Sequence, residues 1–226
     1  AGVLYLVALR PEPLSVAKAL VADGPATTAE DIDGYDRPRD RVTAFLSIAL
    51  SHATMVAVMA MTPVHLVDHG ASLVIVGFTI SLHIAGMYAL SPVFGILADK
   101  VGRIQTILLG QLMLALSLFA TGFGSESEGW VIVGLILLGT GWSAATVAGS
   151  ALLTESTPVD RRTKVQGVSD VVMSGAGATG GALSGVVLYL VGYSGLSFVT
   201  LALVVVVVAR ITVGRSRAES SDQETS

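Results

Sequence analysis

"GILADKVGR", Gly95 to Arg103, closes a run of about two dozen mostly apolar residues with two positive charges, one carboxylate and two glycines. The chain becomes apolar again from about Gln105, so it must reverse direction here within a few residues. Gly102 can adopt the left-handed conformation that ends a helix, and Lys100 and Arg103 can anchor the turn among lipid headgroups. A basic hairpin between antiparallel helices accounts for those three residues. It leaves Asp99 and Gly95 unexplained. A carboxylate at a membrane face is stabilised when it accepts hydrogen bonds from the exposed N–H groups of a neighbouring helix N-terminus. Gly95, one turn earlier, would let that helix come close. The stretch therefore predicts a turn that is also a docking surface.

Working outward, the 226 residues are 52% hydrophobic and only 13% charged, with a mean hydropathy of +0.74. That is too apolar for one soluble core and places the chain among membrane proteins. Apolar windows recur at Thr43–Val67, Leu73–Leu97, Gln105–Phe123, Trp130–Leu153, Gly167–Val191 and Leu196–Val213. Each is long enough, at about 1.5 Å per residue, for a hydrocarbon layer of about 30 Å. Six spans are predicted over residues 42–213, with Pro63 and Pro92 as kinks within theirs. The first nine residues, "AGVLYLVAL", are apolar but too few to cross, and are expected to be the end of a preceding helix in a chain truncated upstream. Residues 10–41 hold seven acidic and five basic residues with four prolines, and are expected to form a linker. Residues 214–226 are expected to be a disordered tail. With no cysteines, disulfides and thiolate metal sites are excluded.

If the six spans alternate in direction, all thirteen Lys and Arg residues fall on one side: Arg10, Lys18, Arg37, Arg39, Arg41, Lys100, Arg103, Arg161, Arg162, Lys164, Arg210, Arg215 and Arg217. The opposite turns, "DHGAS" (68–72), "GSESEG" (124–129) and "GYSG" (192–195), carry none. By the positive-inside rule the basic side, with the linker and the C-terminus, is cytoplasmic. An error in one span would have scattered the charges, so the asymmetry also supports the span count.

Gly95, Leu97, Ala98, Asp99, Lys100, Gly102 and Arg103 match the form G-x-L-a-D-[RK]-x-G-[RK], and here the chain resembles the major facilitator superfamily. In that family the loop follows the second helix of each six-helix half, as it does here. "ESTPVDRRTKVQG" (155–167) is similarly placed to the family's loop before the penultimate helix, with Glu155, Pro158, Arg161, Arg162 and Gly167 in order. The resemblance covers nearly the whole chain. It implies an all-α membrane protein: a six-helix bundle that forms the C-terminal half of a twelve-helix fold, without its N-terminal half. Substrate would pass between the two halves.

Several residues are candidates for that path. Asp170 is the one acidic residue well inside a predicted span, and a charge at that depth should face protein or water. With Arg161 and Arg162 it is assigned to docking between the halves, which the resemblance favours, or to proton coupling, with a solvated helix end as the third reading. His52 with Met59, His83 with Met87, and the deeply placed Trp142 are candidate substrate contacts, with packing as the competing role for each. Gly177, Gly181 and Gly185 recur at spacing four, the pattern that lets helices approach closely. They are no phosphate loop, because they follow no strand. "HLVDH" sets His65, Asp68 and His69 at helical spacing, too few ligands for a metal site.

The expected function is secondary transport of a small molecule across a bacterial plasma membrane by alternating access, with proton-coupled drug efflux as one form. The alternative is a truncated membrane module that acts only through a partner half. Neither requires a cofactor, a nucleic acid or enzymatic activity. An intramembrane metalloenzyme using His65, Asp68 and His69 is the remote third reading.

Overall fold

A computed structural model describes the backbone of residues 36–224 and the side chains of residues 36–214. The expected helix end at 1–9 and most of the linker lie outside them. The described residues contain no strand. They form α1 (Pro38–Asp68), α2 (Leu73–Tyr88), α3 (Ser91–Val101), α4 (Arg103–Phe123), α5 (Glu128–Glu155), a short 3-10 turn at Val159–Arg161, and α6 (Arg162–Glu224).

Five stretches are long and apolar enough to cross a membrane, α2 and α3 together making one of them. The last, Val159–Gly214, is 56 residues long, about 84 Å at helical rise and far beyond a layer of about 30 Å. It is broken at Gly192, with φ 71° and ψ −179°, a region essentially reserved for glycine. Its two segments, 162–191 and 193–224, run in opposite directions. Tyr193 meets Thr62 near the acidic end of α1, its hydroxyl 2.8 Å from Thr62 Oγ1. Arg210 Nη2 returns to the Arg39 carbonyl at the basic end, 3.4 Å away. The stretch is thus two crossings, and the bundle has six. Where a four-residue turn was expected, one glycine suffices. Gly192→Ala is expected to cost about 1–3 kcal/mol in backbone strain, because a Cβ there meets no neighbour. A variant that melts with the parent would show that the break does not depend on glycine.

Three other boundaries differ from expectation. Helix α1 starts at Pro38, whose fixed φ suits the first turn. The second span breaks at Ala89–Leu90, just before Pro92, whereas α1 continues through Pro63 to Asp68. The backbone beyond residue 214 is helical to Glu224 rather than irregular. Extending an existing helix needs no new nucleus, and Arg217, Ala218 and Glu219 are good helix formers.

The bundle closes around Met55, Val58, Leu114, Leu118, Leu135, Leu138, Tyr193 and Val204, with a second cluster of Ala44, Ile48, Ala98, Ile107, Leu153, Val207 and Ile211 nearer the basic end. Lipid is as apolar as these side chains, so close packing and interhelical hydrogen bonds must hold the helices together. Gln111 Nε2 donates to Ser51 Oγ at 2.8 Å, Ser117 Oγ to the Gly134 carbonyl at 2.7 Å, and Thr121 and Ser197 share a bond of 2.9 Å. Such bonds average about 0.6 kcal/mol each. Phe123, Leu190 and Val205 are exposed, as a surface facing hydrocarbon requires.

Candidate functional site

The turn at 95–103 is built around Gly102, whose φ of 116° and ψ of 153° again suit glycine alone. It brings Arg103 onto the first turn of α4, where the helix dipole disfavours a cation. Two carboxylates offset that cost. Arg103 Nη1 bonds Asp99 at the end of α3, while Nε and Nη2 reach Glu155 Oε1 at the end of α5, 3.0 and 2.6 Å away. Both stretches singled out in the sequence thus meet through one guanidinium. Among the described residues Asp99 is held by a side chain rather than by a helix N-terminus.

Gly95 meets nothing within 4 Å of a built Cβ, so the close approach it permits is not used by the described residues. Asp99 and Lys100 are exposed beside it. Across the basic end, Arg161 pairs with the adjacent Asp160 at 3.7 Å, and Arg162 Nε donates to the Thr157 carbonyl at 3.1 Å. Asp170 is exposed on α6, about 12 Å along it from Arg162, and accepts a long bond of 3.4 Å from Gln166. No basic side chain among the described residues pairs with it. The two faces that carry Asp99 and Asp170 therefore both point out of the bundle.

The remaining candidates divide. His52 and Trp142 come together, with Trp142 Nε1 donating to His52 Nδ1 at 3.0 Å. Tyr88, which the sequence reading did not single out, stands edge-on to Trp142 with ring centroids 6.2 Å apart. Met59 and Met87 are partly buried against the central core. His83 takes the packing role. It is fully buried and donates from Nδ1 to the Leu135 carbonyl at 2.9 Å, which ties α2 to α5 and leaves it no exposed surface to meet a substrate.

The glycine stripe is also redrawn. Cβ atoms at Gly177 and Gly181 would meet His52 and Val56, but one at Gly185 would meet nothing within 4 Å. A Cβ at Gly180 would lie 2.8 Å from the Ala53 carbonyl oxygen, so this glycine completes the contact with α1. A helix has 3.6 residues per turn, so a strict spacing of four drifts off the contact face. At the opposite end His65 Nε2 donates to the Ser125 carbonyl at 2.8 Å and stacks on Tyr193, and His69 Nδ1 donates to the His65 carbonyl at 2.8 Å. These imidazoles close the end of the bundle, and no group of three or more candidate metal ligands gathers among the described residues.

The family model described as Major Facilitator Superfamily matches residues 44–226. The chain belongs to the major facilitator superfamily. As a member it is an integral, multi-pass membrane protein. It is 40% identical over 204 residues to the uncharacterized MFS-type transporter YddS of Bacillus subtilis (strain 168), covering 87% of this chain and 47% of that protein. It is 35% identical over 209 residues to the uncharacterized MFS-type transporter YdeG of the same organism, covering 90% and 47%. A third relative, the riboflavin transporter RfnT of Brucella anthropi, is 29% identical over 157 residues, covering 70% of this chain and 39% of its own length. The chain thus spans about half the length of the two Bacillus relatives.

Proposed function

We propose that this bundle is the C-terminal half of a secondary transporter that moves a small molecule by alternating access, working against a second six-helix bundle. The family match over residues 44–226 carries this reading, and it favours transport over a module that only binds a partner. The unused approach at Gly95 and the exposed carboxylates of Asp99 and Asp170 support a second bundle seated on this face. The described basic residues cluster at one end of the helices, which supports a cytoplasmic location for that end in the plasma membrane.

Uptake and efflux by the complete gene product in vesicles, with and without an imposed pH gradient, test the reading directly. Riboflavin, named in one relative, belongs on the substrate panel beside drug-like cations. Asp99→Asn is expected to cut transport several-fold while leaving membrane insertion unchanged, because the lost charge serves docking rather than folding. Transport at the parent rate in that variant would remove Asp99 from the switch.

A further inference from the structure

We propose that His52, Tyr88 and Trp142 form a binding site for a neutral, planar aromatic molecule carrying a hydrogen-bond acceptor, such as a ring carbonyl or ring nitrogen. The proposal rests on the transporter reading above and gives it a substrate class.

The three residues lie at one depth. His52 is near the middle of α1, Trp142 near the middle of α5, and Tyr88 near the middle of the span that α2 and α3 share. They are therefore near the bilayer midplane, where an unpaired polar group facing lipid is costly. Yet Tyr88 is 61% exposed, and its hydroxyl has no partner among the described residues. A face that presents such groups at this depth does not face lipid. It faces protein or a cavity.

The chemistry of the site follows from one hydrogen bond. Indole N–H is a donor only, so His52 Nδ1 must accept from Trp142 Nε1. The imidazole is then neutral, with its proton on Nε2, since the charged ring would set N–H against N–H. Nε2 lies against Gly177, where a Cβ would come within 2.7 Å of it, so glycine is what leaves the ring its place beside α6. The Nε2–H has no acceptor among the described residues. His52 thus offers a fixed donor and Tyr88 an exposed aromatic face beside it, while Trp142, itself buried in the core, holds the imidazole from Nδ1 and backs the Tyr88 ring edge-on, their planes inclined at 76°.

The break in the second span adds to this. Pro92 lacks the N–H that would close the helical bond to the Tyr88 carbonyl, and Ser91 Oγ instead bonds Met87 O and Ser143 Oγ, each at 3.0 Å. Interrupted helices at the midplane are where transporters commonly place their ligands. The described charged side chains all lie toward the helix ends, Asp170 being the deepest, so this bundle offers a charged ligand no counter-charge at the depth of Trp142. Hence the part of the ligand that this bundle holds is neutral.

The test uses the complete gene product in lipid nanodiscs and three planar probes: lumichrome, which is neutral and carries ring carbonyls; phenanthrene, which has no acceptor; and N-methylacridinium, a cation. Lumichrome is expected to bind saturably, and the other two at least tenfold more weakly. His52→Phe should weaken lumichrome at least tenfold, His52→Gln should retain part of the affinity through its amide donor, and Trp142→Phe should weaken it by freeing the imidazole tautomer. Equal binding of phenanthrene, or unchanged affinity in His52→Phe, overturns the donor role. No lumichrome binding by the parent overturns the site, whatever the variants do. Alternation is read separately, by labelling a cysteine introduced at Val171, with any cysteine outside these cysteine-free 226 residues replaced. Labelling that responds to Asp99→Asn, without lumichrome binding, removes the ligand site and leaves the transporter reading standing. Labelling that does not respond removes Asp99 from the switch, and the transporter reading itself falls only if the vesicles also show no transport.

Discussion

Gly110→Val is expected to destabilise the bundle by about 3 kcal/mol, the upper part of the range for overpacking. A Cβ at Gly110 would lie 2.7 Å from the Ala145 nitrogen and 2.8 Å from the Gly141 carbonyl oxygen. Both are backbone atoms of α5, and neither can rotate away. Gly141 returns the contact, its own Cβ position lying 2.9 Å from the Gly110 carbonyl oxygen. Helices α4 and α5 therefore meet main chain to main chain, and any side chain at this point must push them apart. Separation would also loosen the bond from Ser117 Oγ to the Gly134 carbonyl and the packing of Leu114 and Leu118 on Leu135 and Leu138. Thermal unfolding in detergent measures the effect. Gly175→Val provides the control, since a Cβ there meets nothing within 4 Å, and it should melt close to the parent. Equal melting of the two variants would show that α4 and α5 are not held by this contact.

Gly110 and Gly141 also mark a limit of what the sequence discloses. They sit on different spans, and no regular spacing links them, so nothing in either span alone singles them out. Gly177, Gly181 and Gly185 stand out because they recur within one helix, yet a Cβ at Gly185 would meet nothing within 4 Å among the described residues. The number and order of the crossings were legible, because membrane thickness sets helix length and because the basic residues fall at one end of the bundle. The turn at 95–103 was legible because Gly102 and the charges around it are restricted to few conformations. Side-chain partners across the bundle were not. His52 and His83 look alike in sequence, each mid-span among apolar neighbours. Only tertiary packing gives one a tryptophan N–H and the other a buried backbone carbonyl. Tyr88 escaped notice for the same reason, since an aromatic residue before a proline says nothing by itself about what it will face.

Arg103→Ala is expected to lower transport by the complete gene product about tenfold, equivalent to about 1.4 kcal/mol in the barrier, with little change in melting. The guanidinium joins Asp99 on α3 to Glu155 on α5, so the ends of the second and fourth spans are coupled through the first turn of the third. The pair with Asp99 is well exposed on the carboxylate side and that with Glu155 is about half exposed, so each adds at most about 1 kcal/mol to stability. Its larger consequence is for geometry. Without Arg103 the two carboxylates lose their common partner, and Asp99 is no longer fixed at the surface where the second bundle is proposed to dock. Arg103→Lys keeps the charge but not the planar fork that serves two acceptors at once, and should fall between alanine and the parent. Raising the salt concentration should bring the parent toward the alanine variant, because these charges are screened by water and ions. A large drop in melting temperature for Arg103→Ala would make the clamp a structural element. Parent-level transport in that variant would remove it from the switch altogether.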